Sequence, residues 1–270
     1  RRHATELAVP QRLDHWRTDH VMAALLTHGE DLPGDFVVGE AMLERVQRAR
    51  LQPPPAVAAA DRGTRYAELA AEAVAGETAR PSLGGEFPKF ATCVHLGEDR
   101  YRHVLVKFTE TANTPAKRRW VDLLICEHLA ARVLAGQGIA AAASELVVAG
   151  ERLCLEVARF DRIGAHGRRG TVTLAALDDA FHGQCDDWPH AAARLAQDGW
   201  IDAPTLATIR WLHAFGQLIA NTDLHFGNLS FHTQAGRPLA LAPAYDMLPM
   251  LYRPAATGEI VEREFQPPLP

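Results

Sequence analysis

The stretch LIANTDLHFGNLSF, residues 218–231, places an aspartate, Asp223, five residues before an asparagine, Asn228, in a polar loop between a helical pattern and a short apolar run. Phosphoryl transfer needs a carboxylate near the attacking hydroxyl and oxygen donors for magnesium, and this pair of side chains offers both. A second run, PAYDML at 243–248, carries Asp246. Between the two lie a turn at 234–236 and an apolar segment at 239–241, so a hairpin would return Asp246 beside Asn228. Two hard oxygen ligands suit magnesium. Taken singly, each residue has a plain structural role: Asp223 as a turn cap, Asn228 in a left-handed conformation, Asp246 in an Asx-turn. His225 is expected to bond a backbone carbonyl, because magnesium favours oxygen over imidazole. Metal-assisted hydrolysis by Asp223, His225 and Asp246 is a weaker reading, since no second histidine motif accompanies them.

Other elements must hold these groups. A helix over 205–220, with Leu206, Ile209, Leu212, Gly216 and Ile219 in register, delivers the Asp223 loop. Residues 103–108 alternate as a strand, with Val104, Val106 and Phe108 on one face and Leu105 and Lys107 on the other. Lys107 is either a solvated edge residue or, as in nucleotide kinases, a source of charge for phosphates. The helical pattern over 119–135 uses Trp120, Leu124, Ala131 and Leu134, stops at Gly136 and Gly138, and carries Asp122 and Glu127, either of which could turn toward Lys107. A hairpin is expected around 149–152, leading into RFDR at 159–162. Further helices are expected over 15–27, 40–48, 66–75 and 189–197. The stretch 51–60, with three consecutive prolines, reads as a connector. PSLGGEFPKF at 81–90 is either a phosphate loop or an ordinary glycine turn.

With 270 residues, 47% of them hydrophobic, the chain can bury a large core and divide into two lobes. A net charge of −5 gives no global attraction to nucleic acid or anionic lipid. Four cysteines without CxxC spacing indicate reduced thiols rather than a zinc site or disulfide framework. With no long apolar span and no signal-peptide order at the start, a cytoplasmic protein without membrane or direct nucleic-acid contact is expected. The initial Arg1 and the ending at Pro270 suggest a segment of a longer chain.

NTDLHFGNLSF followed by LAPAYDML resembles the HipA-like serine/threonine kinases, the toxin components of bacterial toxin–antitoxin modules. The resemblance extends back through VARFDR, VLVKF and PSLGGEFPK, and more loosely to LPGDFVVGE near the N-terminus. It implies an α+β, bilobal, protein-kinase-like fold with an accessory piece over 1–55, a mixed α/β nucleotide-binding lobe over 56–162 and a mainly helical, incomplete lobe over 163–270. It implies an ATP- and Mg2+-dependent kinase acting on an intracellular protein, for which the family suggests an aminoacyl-tRNA synthetase. The alternative is a catalytically weak module that binds an antitoxin. Residue by residue, it implies Asp223 as catalytic base, Asn228 and Asp246 as magnesium ligands, and Lys107 on the ATP phosphates. It further implies adenine contacts at Ala158, Arg159 and Phe160, with His225 and Tyr245 lining the site. Gly84, Gly85 and Lys89 belong to its phosphate loop, and Ser82 matches the serine that the family autophosphorylates. The sequence departs from the family in the reduced polarity of SLGGEFPK.

Overall fold

The computed structural model describes residues 4, 6–76, 87–111, 113–233, 236–255 and 257–267. Its first part contains α1 (Thr18–His28), α2 (Glu40–Ala49), β1 (Val57–Ala58), α3 (Arg62–Gly76), β2 (Lys89–His95), β3 (Tyr101–Phe108) and α4 (Pro115–Gly136). A hairpin of β4 (Ser144–Ala149) and β5 (Arg152–Ala158) follows, then the short strands β6 (Arg162–Ile163), β7 (Gly167–Arg168) and β8 (Thr171–Thr173). The remainder is α5 (Leu174–Phe181), α6 (Trp188–Gln197), α7 (Ala203–Leu218), β9 (Ser230–His232) and β10 (Ala240–Leu241).

Alternation along β3 decides how the first lobe packs. Val104, Val106 and Phe108 are fully buried in one core with Tyr66 and Ala70 of α3. Lys107 belongs to the opposite set and meets α4 instead. The sheet order is β1-β2-β3-β5-β4, so β3 is an interior strand, and the solvated-edge reading of Lys107 is incorrect. The 51–60 stretch is more than a connector: after the prolines, Val57 and Ala58 pair in parallel with Val94 and His95, and Val57 joins the core. A β-branched residue just past a proline run can extend where a helix cannot.

The second lobe rests on capped helices. Thr173, Asp187 and Asp202 each accept a backbone N–H in the first turn of α5, α6 and α7, and prolines stand in the first turns of α6 and α7. Such caps each stabilise by about 1 kcal/mol. Trp188, Leu195, Ile209, Leu212 and Phe231 form its core, which also takes in Ala130 and Leu134 from the C-terminal half of α4. Leu123, in the N-terminal half of α4, packs instead with Leu248 and Met250. Thus α4 joins the two lobes. A small antiparallel sheet, β10-β9-β8, adds strand structure to this largely helical lobe, and the β9–β10 pairing is the expected hairpin. The fold is α+β, with a five-stranded mixed sheet in one lobe and helices dominating the other. No helix among the described residues is long and apolar enough to cross a membrane, and all four cysteines are free.

Candidate active site

Three segments meet at the junction of the lobes: the end of β3, the middle of α4 and the loop after β10. Lys107 Nζ donates to both Glu127 carboxylate oxygens, at 2.7 and 2.9 Å, and also to Asp246 Oδ1. Of the two acids on α4, Glu127 is the partner of Lys107; Asp122 is exposed. Five residues correspond to about 140° around a helix, so the two carboxylates cannot share a face. Lys107 is 6% and Glu127 5% exposed. Although burial works against the ammonium, the charges of Glu127 and Asp246 hold the Lys107 pKa above its ordinary value. Burial raises the Glu127 carboxyl, with Lys107 opposing and the Asp246 charge assisting. One ammonium thus faces two carboxylates directly, and the charge of Lys89 also bears on Glu127. A small cavity of about 10 Å³ adjoins it, lined in part by Glu127, Val157, Tyr245 and Asp246.

The loop after α7 is built on a helix stop. Ala220, at φ 59°, and Asn221 donate their N–H groups to the carbonyls of Gln217 and Gly216, the two bonds of a Schellman ending. Asn221 is 5% exposed and serves both loops. Its Oδ1 accepts the Asp223 N–H at 3.0 Å, and its Nδ2 donates to the Asp246 carbonyl at 3.4 Å. Asn228 Nδ2 donates to the Asp223 carbonyl at 3.0 Å. The loops carrying residues 223, 228 and 246 are therefore tied by side-chain amides. Since the Asn228 NH2 is engaged, its Oδ1 is the atom that could face a cation. Gly216 permits this packing, because a Cβ there would lie 2.7 Å from Leu224 Cδ2.

Asp246 is held from both sides. Ala244 accepts from Ala142 N–H and donates to the Ala140 carbonyl, both at 2.9 Å, and the Leu251 N–H donates to the Ala220 carbonyl. Between these anchors Asp246 adopts φ 57°, a left-handed conformation that side chains rarely take and Asp tolerates better than most. Strain of this kind concentrates at functional sites.

The remaining expected residues fall into several groups. Tyr245 OH donates to the Gly227 carbonyl and bonds Ser230 Oγ, both at 2.7 Å, and burial pushes its phenol pKa up. Phe160 lies against the Tyr245 ring, with centroids 5.5 Å apart. His225 is corrected in detail: its Nδ1 accepts the Gly227 N–H instead of the ring donating to a carbonyl, a local turn that a ring two residues before glycine can close. The N–H groups of Ala158 and Arg159 donate to the Ala143 and His103 carbonyls, so neither is available to a ligand. The Arg159 guanidinium is committed to Asp31 and Asp161. Lys89 opens β2 opposite Lys107 in the ladder, and its charge bears on Glu127. Ser82, Gly84 and Gly85 lie outside the described residues. Asn221 was missed as a site residue, although Asn two positions before Asp223 is an Asx-turn pattern that could have marked it.

The donor set fits a hard divalent cation: the part-exposed Asp246 carboxylate and the Asn228 amide oxygen on the adjoining loop. Among the described residues no three His, Cys, Asp or Glu side chains gather as a metal site. One carboxylate and one amide suffice where phosphate oxygens and water complete the shell, as magnesium prefers.

The chain matches the family model described as HipA-like C-terminal domain over residues 81–265, and the model described as YjjJ-like toxin, middle domain, over residues 1–47. It is 38% identical over 259 residues to Toxin YjjJ of Escherichia coli (strain K12), covering 96% of this chain and 58% of that protein. The chain thus spans less than two thirds of that relative. Among solved structures it is similar to the Shewanella oneidensis MR-1 toxin–antitoxin system HipA, HipB and operator DNA complex, with a TM-score of 0.61 and 20% identity, over 94% of this chain and 64% of that chain. A looser alignment, with a TM-score of 0.46 and 16% identity, covers 61% of this chain and 54% of the Helicobacter pylori proinflammatory kinase CtkA.

Proposed function

The chain belongs to the family of the HipA-like C-terminal domain, and from that premise we propose that it is the catalytic portion of an ATP- and Mg2+-dependent serine/threonine protein kinase of toxin type. The observation that carries the proposal is the amide-tied approach of the Asp223, Asn228 and Asp246 loops beside the Lys107–Glu127 pair. Asp246 and the Asn228 Oδ1 would hold magnesium, and Lys107, oriented by Glu127, would contact the phosphates. When bound, the metal neutralises charge on the phosphate oxygens. Asp223 would accept the proton of the acceptor hydroxyl, its backbone fixed by Asn221 and Asn228. Phe160 and Tyr245 would line the nucleotide base, residues 84–89 would contact the phosphates, and Ser82 would be an autophosphorylation site. The acceptor would be a cytoplasmic protein, an aminoacyl-tRNA synthetase being the one that the family resemblance suggests, and an antitoxin would be the regulatory partner.

The test is γ-phosphate transfer from ATP with Mg2+ by the full-length protein, compared with Asp223→Ala. Asp223-dependent phosphorylation of a protein is expected. Wild-type protein that binds an antitoxin without any Asp223-dependent transfer would favour the alternative, a kinase-fold binding module.

A further inference from the structure

Two side-chain amides link the loops that carry residues 223, 228 and 246: Asn221 bonds the backbone of both Asp223 and Asp246, and Asn228 bonds that of Asp223. A phenol closes the third side. Tyr245 precedes Asp246, Gly227 precedes Asn228, and the Tyr245 hydroxyl donates to the Gly227 carbonyl at 2.7 Å. That carbonyl lies in the planar peptide group leading into Asn228, so the bond restrains the backbone from which the Asn228 side chain departs. A phenol has one proton to give, and Gly227 takes it. The 2.7 Å contact with Ser230 Oγ is therefore donated by the serine, and a chain of hydroxyls runs from Ser230 through Tyr245 to Gly227.

We propose that Tyr245 is a positioning residue for the cation, its hydroxyl holding the Asn228 and Asp246 loops together so that both side chains serve one ion. This rests on the kinase reading above and gives the Tyr245 hydroxyl a role separate from the base contact of its ring. Strand β9 aims the chain: Ser230 and His232 share one face, while Phe231 enters the core from the other. Phe160 steadies the phenol ring, with centroids 5.5 Å apart, and packs edge-to-face with His232 at 5.8 Å. The backbone bonding of the β9–β10 hairpin runs only to the Ala242 N–H, which donates to the Ser230 carbonyl at 2.9 Å. Beyond it, the hydroxyl continues the connection to the residues flanking Asn228 and Asp246. Groups that orient metal ligands from outside the coordination sphere change metal affinity by about 10–100-fold when they are removed.

The test reads Mn2+ binding to the full-length protein by electron paramagnetic resonance, with a non-hydrolysable ATP analogue at saturation, and the Mg2+ dependence of phosphoryl transfer alongside. Tyr245→Phe keeps the ring and removes one oxygen. It should weaken Mn2+ binding by about 10–100-fold and raise the Mg2+ needed for half-maximal transfer by a similar factor, with the rate recovering toward wild type at saturating Mg2+. Ser230→Ala leaves the Gly227 bond in place and should shift both readouts in the same direction by a smaller factor; it carries the test if Tyr245→Phe melts as an unfolded chain. Wild type that binds Mn2+ with the analogue, and a folded variant that binds it equally well, would overturn the role of the hydroxyl while leaving the kinase reading intact. A rate loss that saturating Mg2+ does not restore would overturn it too. Wild type that binds no Mn2+ with the analogue would bring down the kinase reading and this proposal together.

Discussion

Two ion-pair clusters, one around Asp161 and one around Asp246, differ in how completely their carboxylates are used. Asp161 is saturated: Arg159 contributes two bonds, at 3.0 and 2.8 Å, Arg162 one at 2.8 Å and the Gly34 N–H one at 2.9 Å. Asp246 shares a single lysine with Glu127, remains about one-third exposed, and sits in a left-handed backbone conformation. A saturated acid fastens one segment to another, here residues 31–34 to the RFDR turn. A part-exposed acid with lone pairs to spare is suited to a cation.

The comparison can be tested by removing one acid from each cluster. Asp246→Asn keeps a residue that tolerates positive φ, so the fold should persist while phosphoryl transfer falls by about 10²–10⁴-fold; Asp223→Asn should behave alike. Radiolabelled transfer together with thermal melting would show both effects. Asp161→Ala should do the reverse, costing about 3–5 kcal/mol by leaving two buried guanidinium groups with the half-exposed Asp31 as their one remaining carboxylate among the described residues. Chemical denaturation measures that loss, and a small effect would mean that the arginine cluster is solvated. Asn221→Ala, which unties both loops without touching either carboxylate, should lower kcat by about 10²-fold with little change in the melting temperature. A change confined to KM would argue against its positioning role.

The smallest expected effect is on pH dependence. Burial alone would raise the Asp161 carboxyl, but Arg159, Gly34 and Arg162 carry it below the usual carboxylate range. A depressed pKa contributes stability that is present above the unfolded-state value and is lost as pH falls toward the folded-state value. Acid melting of wild type should therefore steepen below the ordinary carboxylate range, and Asp161→Ala should remove that component.

Much of this was legible in the sequence because it depends on periodicity. The alternation of β3 sorted Lys107 from Val106 and Phe108, and Glu127 falls three residues after Leu124 and four before Ala131, on the inward face of α4. The sequence left Glu127 and Asp122 as alternatives, and the contact with Lys107 decides between them. Other features left no periodic trace. The helix stop at Ala220 uses a left-handed alanine where glycine would have been the signal. The partner of Arg159, Asp31, lies 128 residues away in the chain. β1, only two residues long, owes its place to pairing with β2. Asp246 owes its conformation to anchors at Ala244 and Leu251, which no local pattern predicts.

A crystal structure of the full-length protein with Mg2+ and a non-hydrolysable ATP analogue tests the central claim most directly. The account predicts one cation touching both the Asp246 carboxylate and the Asn228 amide oxygen, with the terminal phosphate facing Asp223 and Lys107. Nucleotide and metal seated away from these side chains, or the loops of 223 and 246 separated, would contradict it.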